Sequence, residues 1–101
     1  MKITVSQKDR SLEIQLTGEL DHHGAKGLMQ QLEREIEHAL PLKMILDFRG
    51  VSFMDSSGIA VVMRMYQRMR ELGGKLCLQH LTAQPRKVFD ASGISRIVEM
   101  E

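Results

Sequence analysis

The sequence predicts a single α/β domain, in which an N-terminal antiparallel hairpin is followed by parallel strands in one mixed β-sheet packed with α-helices. Three observations indicate this fold. Two short segments near the N-terminus alternate apolar and polar residues, as half-buried strands do. Two longer segments repeat apolar residues every three or four positions, as amphipathic helices do. Short apolar runs follow these helical segments, and this alternation is typical of parallel strands joined by right-handed crossovers.

The first two strands are predicted at residues 2–6 and 12–16. Polar residues 7–11 lie between them and are turn-like, so the two strands are expected to pair as an antiparallel hairpin. The apolar positions of the two strands are Ile3, Val5, Leu12, Ile14 and Leu16.

The first helix is predicted from His22 to Leu40, with Asp21 as its N-cap and Pro41 directly after its end. A short, nearly continuous apolar run at residues 44–48 then predicts a strand that is covered on both faces. The apolar positions of the helix that are spaced by four are Leu28, Leu32, Ile36 and Leu40.

The second helix is predicted from Ser56 to Leu72, where two glycines stop it. After it come a strand at residues 75–79, a short helix at residues 84–91 and a last short strand at residues 96–100. The apolar stripe of the second helix is predicted to comprise Ile59, Val62, Met63, Tyr66 and Met69. Methionines at helical spacing are typical core residues, and Met63 is interpreted in this way.

Composition sets the class of protein. A chain of 101 residues that is 43% apolar and 27% charged is typical of one globular domain. A net charge of +1 gives no overall field that would attract nucleic acid or an anionic membrane. A lone cysteine, Cys77, cannot form an internal disulfide, and no apolar stretch approaches the ~20 residues of a membrane helix. We therefore expect a cytoplasmic protein that is neither exported nor membrane-spanning.

Three loops are predicted at the carboxyl edge of the sheet, where sites of such folds tend to lie: residues 17–23, 50–57 and 80–84. The middle loop contains Asp55 and Ser56 directly before a helix. A phosphate on a serine here would be stabilised by unpaired backbone N–H groups and by the helix dipole. The same residues are also an ordinary capped helix start, so local chemistry leaves both interpretations open.

Three segments carry a family resemblance: LTGELDHH at residues 16–23, VSFMDSSGI at residues 51–59 and VFDASGI at residues 88–94. Together they resemble the STAS domain of anti-sigma factor antagonists, and within that family the stage II sporulation protein AA type. The resemblance extends over nearly the whole chain, with the segments in the expected order. It implies that the chain is one STAS domain.

The resemblance implies a phosphorylation switch. The unphosphorylated antagonist binds an ATP-binding anti-sigma factor that is also a serine kinase, and so releases a sporulation sigma factor. The kinase phosphorylates the serine directly after the aspartate, here Ser56, and a serine phosphatase reverses this. Ile59 and Val62 are expected to be apolar anchors where they point outward. The implied partner-binding residues are Asp21, His22, His23, Asp55, Ser56, Ser57, Gly58, Ile59 and Val62.

The resemblance also sets expectations about partners and length. No catalysis, no cofactor, no nucleic acid and no membrane are implied, and the protein alone is expected to be a monomer. Relatives of this type usually continue into a C-terminal helix, whereas this sequence ends at Glu101. We expect a domain over residues 1–101 without that helix, either a short variant or a truncated chain. A scaffold subunit of a stress-signalling complex with the same fold is the alternative, and it would form large particles.

A second alternative is a hydrolase triad built from Asp21, His22 or His23, and Ser56, because a serine nucleophile needs a base and an orienting acid. The serine lacks the Gly-x-Ser-x-Gly elbow, however, and a domain this small has little material for a substrate pocket. We therefore predict a binding protein rather than an enzyme.

A metal site is a weaker possibility. Cys77 and His80 have the spacing of two metal ligands, but a closed zinc site needs four and no second pair follows. Cys77 is therefore expected to be a small buried apolar residue, and no metal is predicted. The basic residues between Arg64 and Lys87 are mixed with acids and have few aromatic neighbours, which favours a solvated surface over a nucleic-acid site.

Overall fold

A computed structural model of the chain describes all 101 residues. It contains one five-stranded sheet and three α-helices, and the predicted order of strands and helices is confirmed. The elements are β1 (Lys2–Lys8), β2 (Ser11–Leu20), α1 (His22–Ala39), β3 (Lys43–Met54), α2 (Ser56–Glu71), β4 (Lys75–Gln79), α3 (Ala83–Ser92), a 3₁₀ helix (Ile94–Arg96) and β5 (Glu99–Met100). None of the three helices combines the length and the apolar content that a membrane span requires.

The strands lie in the order β1-β2-β3-β4-β5, with β1 antiparallel to β2 and all other pairs parallel. This confirms the predicted hairpin and the parallel crossovers. The hairpin turn is tighter than predicted, because only Asp9 and Arg10 lie between the strands. Both have positive φ, 51° and 66°, as the central residues of a type I′ turn require.

Two predicted loops are largely strand. β2 continues to Leu20 and β3 to Met54, so most of residues 17–23 and 50–57 belongs to the sheet. The pairing of β2 with β3 shifts register twice, between Gln15 and Thr17 and between Gly18 and Glu19. Such bulges interrupt the alternation of apolar and polar residues, and this is why the pattern hid the strand extensions.

The core lies on one face of the sheet. Leu12, Met44 and Leu76 are paired across β2, β3 and β4 and belong to a core of 22 buried residues that includes residues of all three helices. By alternation Ile45 and Cys77 point to the opposite face, and neither belongs to that core. The prediction that β3 is covered on both faces was only partly right, because the core with the helices lies on one face, while on the other face Asp47 is buried and Ile45 is half-buried.

The predicted bounds of α1 and α2 are confirmed within one residue. Asp21 caps α1, and Leu40, with φ of 44°, ends it before Pro41. The predicted stripe of α2 was partly wrong, because Met65 rather than Met63 is fully buried. The buried residues of α2 are Gly58, Val61, Val62, Met65 and Met69.

Candidate functional site

Two strand ends and two helix starts meet at one edge of the sheet. The parallel neighbours β2 and β3 end side by side, where Leu20 is paired with Met54. The next residue in each chain segment is an aspartate, and each aspartate is the N-cap of the following helix. Asp21 and Asp55 therefore occupy equivalent positions in two consecutive strand-to-helix connections.

One carboxylate joins the two connections. The Oδ1 atom of Asp55 accepts a hydrogen bond from the Ser57 N–H at 2.8 Å, which caps α2. Its Oδ2 atom accepts from the His22 N–H, in the first turn of α1, at 3.2 Å. The Asp55 N–H donates to the Leu20 carbonyl oxygen at 3.1 Å. The N-termini of α1 and α2 are thus fixed relative to each other through Asp55.

Asp55 is an ionised group at this edge. Its pKa is lowered from 3.8, mainly by the hydrogen bond from the Ser57 N–H, with further contributions from the Ser57 hydroxyl and the His22 N–H. The expectation of unpaired N–H groups around the serines was partly wrong. Asp55 already occupies the Ser57 N–H, and its carbonyl oxygen accepts from the Gly58 N–H at 3.0 Å. A phosphate here would lie beside a carboxylate at the helix N-terminus rather than in an empty cradle of donors.

The two serines differ in access. Ser56 is the first residue of α2 and is exposed. Ser57 is half-buried, and its N–H donates a hydrogen bond to the Asp55 carboxylate. The hydroxyl that is open to a large partner is therefore that of Ser56.

The histidines lie on the same edge, and their contacts differ from those of a hydrolase triad. His22 and His23 are exposed, with ring centroids 4.0 Å apart. The carboxylate nearest the His22 imidazole belongs to Asp55, at 3.7 Å from Nδ1, whereas Asp21 uses its Oδ1 atom to cap α1. Neither imidazole forms a hydrogen bond with Ser56. The structure brings the predicted triad residues near one another without the contacts that a triad needs.

Two of the predicted partner-binding residues are inside the domain. Val62 is 0% exposed, so the interpretation of this residue as an apolar anchor was wrong. Gly58 is also buried, because the first turn of α2 packs directly on Met54 and Leu20. Its lack of a side chain serves this internal packing rather than the approach of a partner.

The surface carries an apolar residue that sequence reasoning missed. Phe53 is 44% exposed at the end of β3, three positions before Ser56, while Ile59 is half-buried. Alternation along the strand contained the signal, since an inward-facing Met54 requires Phe53 to point the other way. Exposed aromatic side chains are common in binding surfaces.

Cys77 and His80 are not brought together as metal ligands. His80 Nε2 lies 2.9 Å from the Arg49 guanidinium, and Cys77 is buried on β4 with its Sγ atom 3.5 Å from Glu101 Oε1. Burial, together with the nearby Glu101, raises the pKa of the Cys77 thiol to about 11. The potential ligand atoms of Cys77, Glu99 and Glu101 lie within 4.8 Å of one another, but this raised pKa opposes the thiolate that a metal ion binds.

Comparison with known proteins identifies a family and several relatives that this chain resembles. A family model described as the STAS domain matches residues 2–101. The chain is 33% identical to an anti-sigma F factor antagonist of Lysinibacillus sphaericus, over 80% of this chain and 69% of the relative. It is 27% identical to an anti-sigma-B factor antagonist of Bacillus subtilis, over 99% of this chain and 90% of the relative.

The chain is also similar to solved structures of an anti-sigma factor antagonist. The structure of the anti-sigma factor antagonist SpoIIAA in its unphosphorylated form matches with a TM-score of 0.84 and 28% identity, over 99% of this chain and 88% of that one. SpoIIAA of Bacillus in the phosphorylated form matches with a TM-score of 0.74 and 28% identity, over 99% of this chain and 91% of that one.

Proposed function

The chain belongs to the STAS-domain family, and on that premise we propose that it acts as an anti-sigma factor antagonist switched by phosphorylation of Ser56. In its unphosphorylated form it binds an anti-sigma factor that is also an ATP-dependent serine kinase, and so releases a sigma factor. Phosphorylation of Ser56 by this partner abolishes binding, and a serine phosphatase restores it. The chain is the substrate in both reactions and catalyses neither.

The observation that carries this proposal is the contrast between the two serines. Ser56 is exposed at the start of α2, whereas the neighbouring Ser57 is half-buried and its N–H is held by Asp55. A kinase that approaches this edge therefore reaches Ser56 more readily than Ser57. The phosphorylated form of the similar SpoIIAA supports the same chemistry in this family.

The effect of the phosphate follows from electrostatics. A phosphoserine adds about 1.5 to 2 negative charges, and here they would lie beside the ionised Asp55. In the free protein, water and the dipole of α2 stabilise these charges. A docked partner removes this water, so the free-energy cost of desolvating the phosphate weakens the complex. A loss of about 3 to 4 kcal/mol would weaken binding by two to three powers of ten.

We propose that the docking surface lies around Ser56 and consists of exposed and capping residues with different roles. Four residues offer side chains to the partner: His22, His23 and Phe53, which are exposed, and Ile59, which is half-buried. Asp21, Asp55, Ser57 and Gly58 hold the two helix starts in place.

The identity of the sigma factor is a separate question. The sequence motif favours a sporulation sigma factor, and the relative that is an anti-sigma F factor antagonist agrees with this. An anti-sigma-B factor antagonist matches nearly the whole chain, and so favours a stress-response antagonist as the second candidate. Titration with one purified anti-sigma factor of each type distinguishes them, because only the cognate partner should bind the unphosphorylated chain.

We further propose that the protein alone is a cytoplasmic monomer. The lone, buried Cys77 fits a reducing compartment. A scaffold subunit would instead assemble into large particles. Size-exclusion chromatography with and without the anti-sigma factor separates the two, since an antagonist gains mass only when the partner is added.

The decisive experiment is mass spectrometry after incubation with ATP and the candidate kinase. We expect one phosphate on Ser56 in the wild-type chain and in Ser57→Ala, and none in Ser56→Ala. Ser56→Ala should remain bound to the kinase, and Ser56→Asp should bind poorly. Phosphorylation of Ser56→Ala on Ser57 would show that the site assignment is wrong.

A further inference from the structure

The edge of β3 that faces β4 has no strand neighbour over the residues just before Ser56. β4 pairs with β3 only from Lys43 to Asp47, whereas β3 continues to Met54. Along this last stretch β2 pairs with one edge of β3, and the other edge has backbone groups that need hydrogen-bond partners. The first residues of α3 and its N-cap, Thr82, supply them.

Gln84 takes the place of a strand at the end of β3. Its Oε1 atom accepts a hydrogen bond from the Met54 N–H at 2.8 Å, and its Nε2 atom donates to the Met54 carbonyl oxygen at 2.9 Å. A primary amide can do this because it carries one acceptor and two donors, like a peptide group. Three residues earlier along β3, the Thr82 hydroxyl donates to the Val51 carbonyl oxygen at 2.6 Å.

These hydrogen bonds hold the backbone that leads to Ser56. Successive residues of a strand direct their backbone groups to opposite edges. Met54 therefore binds Gln84 on one edge, and Asp55 binds the Leu20 carbonyl oxygen on the other. The two residues before Ser56 are fixed from both sides, by α3 and by β2. Gln84 forms no hydrogen bond with Ser56 and acts on it only through the backbone.

We propose that Gln84 is a positioning residue for the phosphorylation of Ser56. Phosphoryl transfer requires the attacking oxygen to be in line with the leaving oxygen, and small displacements of a reacting atom are costly. With Gln84 in place, the turn at Asp55 presents the Ser56 hydroxyl in one orientation. Without it, the Met54 N–H and carbonyl oxygen lose these two hydrogen bonds, and the Ser56 hydroxyl takes several orientations. This inference rests on the proposed function and identifies a residue that determines the rate of Ser56 phosphorylation.

The test compares kinase kinetics of Gln84→Ala, Gln84→Glu and Thr82→Val with those of the wild-type chain, using ATP and the purified anti-sigma factor kinase. We expect kcat to fall about tenfold in Gln84→Ala while KM stays within about twofold, because the docking surface is unchanged. Gln84→Glu keeps the shape but lacks a donor when ionised, so it should lose a similar amount. Thr82→Val removes a bond between the same two elements, three residues further from the turn, and should keep the wild-type kcat.

Amide hydrogen exchange gives a readout that needs no kinase. We expect the Asp55 and Ser57 amides to exchange about tenfold faster in Gln84→Ala and unchanged in Thr82→Val. A wild-type kcat in Gln84→Ala, or unchanged exchange at both amides, overturns the inference and leaves the proposed function intact. A wild-type chain that the kinase does not phosphorylate overturns the proposed function and this inference together.

Discussion

At the scale of single residues, Asp55 links the starts of two helices directly before the proposed phosphorylation site, Ser56. The same carboxylate caps α2 through Ser57, holds the start of α1 through His22 and places a negative charge beside Ser56. A helix cap usually needs only one of these contacts. The second contact explains why the two helix starts form one surface, and under the proposed function the charge would add to the effect of a phosphate on Ser56.

Cys77 gives a pH-dependent prediction at this scale. Burial raises the pKa of its thiol from 9.0 to about 11 in the folded protein. The stability that this provides is fully present below about pH 9 and is lost as the pH rises towards 11, because the unfolded thiol then releases its proton first. The free energy of unfolding should fall by at most ~1.4 kcal/mol per pH unit in this window for this one group.

Urea denaturation of the wild-type chain and of Cys77→Ala between about pH 8 and 11 measures this effect. The variant should be less stable overall, because it leaves a cavity, but its stability should change less with pH in this window. A thiol reagent added to the folded wild-type chain at about pH 8 should react slowly. Equal pH dependence in both proteins, with rapid labelling, would contradict the raised pKa.

At the scale of elements, Gly58 shows how closely α2 approaches the sheet. A Cβ atom at this position would overlap the buried Met54 side chain and lie 3.2 Å from Leu20 Cδ2. Gly58→Ala should therefore destabilise the fold by about 1 to 3 kcal/mol, although alanine favours helices. Gly27→Ala in α1 is the matched control, since nothing lies within 4 Å of its Cβ position. It should stabilise the protein by up to about 1 kcal/mol, as thermal denaturation can measure.

Phe53 and Val62 separate binding from stability. Phe53 is 44% exposed three residues before Ser56, and Val62 is 0% exposed on the inner face of α2. Phe53→Ala should weaken binding of the anti-sigma factor about tenfold or more with little change in stability. Val62→Ala should lower the free energy of unfolding by about 1 to 3 kcal/mol and leave the affinity of the folded fraction unchanged. Calorimetry and denaturation of both variants test this, and the reverse assignment of effects would place the docking surface elsewhere.

The sequence predicted those elements whose limits depend on local chemistry. Asp21 and Pro41 mark the ends of α1 because capping and backbone restriction act within a few residues. The ends of β2 and β3 depend on bulges between strands, and no local pattern indicates these. The rotation of α2 also escaped prediction. Its apolar residues cover two adjoining stripes, and only the position of the sheet and α1 decides that Met65 rather than Met63 is fully buried.

At the scale of the whole molecule, the proposed phosphorylation site, Ser56, lies outside the core. The 22 buried core residues connect one sheet face to all three helices, and neither Ser56 nor Asp55 is among them. A phosphate on Ser56 therefore enters solvent and not the interior, so no packed contact must break to admit it. Two of the three segments that carry the family resemblance, residues 16–23 and 51–59, contain the strand ends and helix starts of this edge, whereas the role of Gln84 depends on α3 folding back onto β3.

Phosphorylation should therefore change binding without changing the fold. The α2 dipole stabilises a phosphate at Ser56 by about 0.3 to 1 kcal/mol, and repulsion from the Asp55 carboxylate opposes this. The net change in unfolding free energy should stay within about 1 kcal/mol. In NMR spectra, amide shifts should change at residues 20–24 and 54–60 and remain the same in β1 and β4. Changed methyl signals from core residues such as Leu46 or Ile94 would instead indicate that the phosphate acts by repacking the domain.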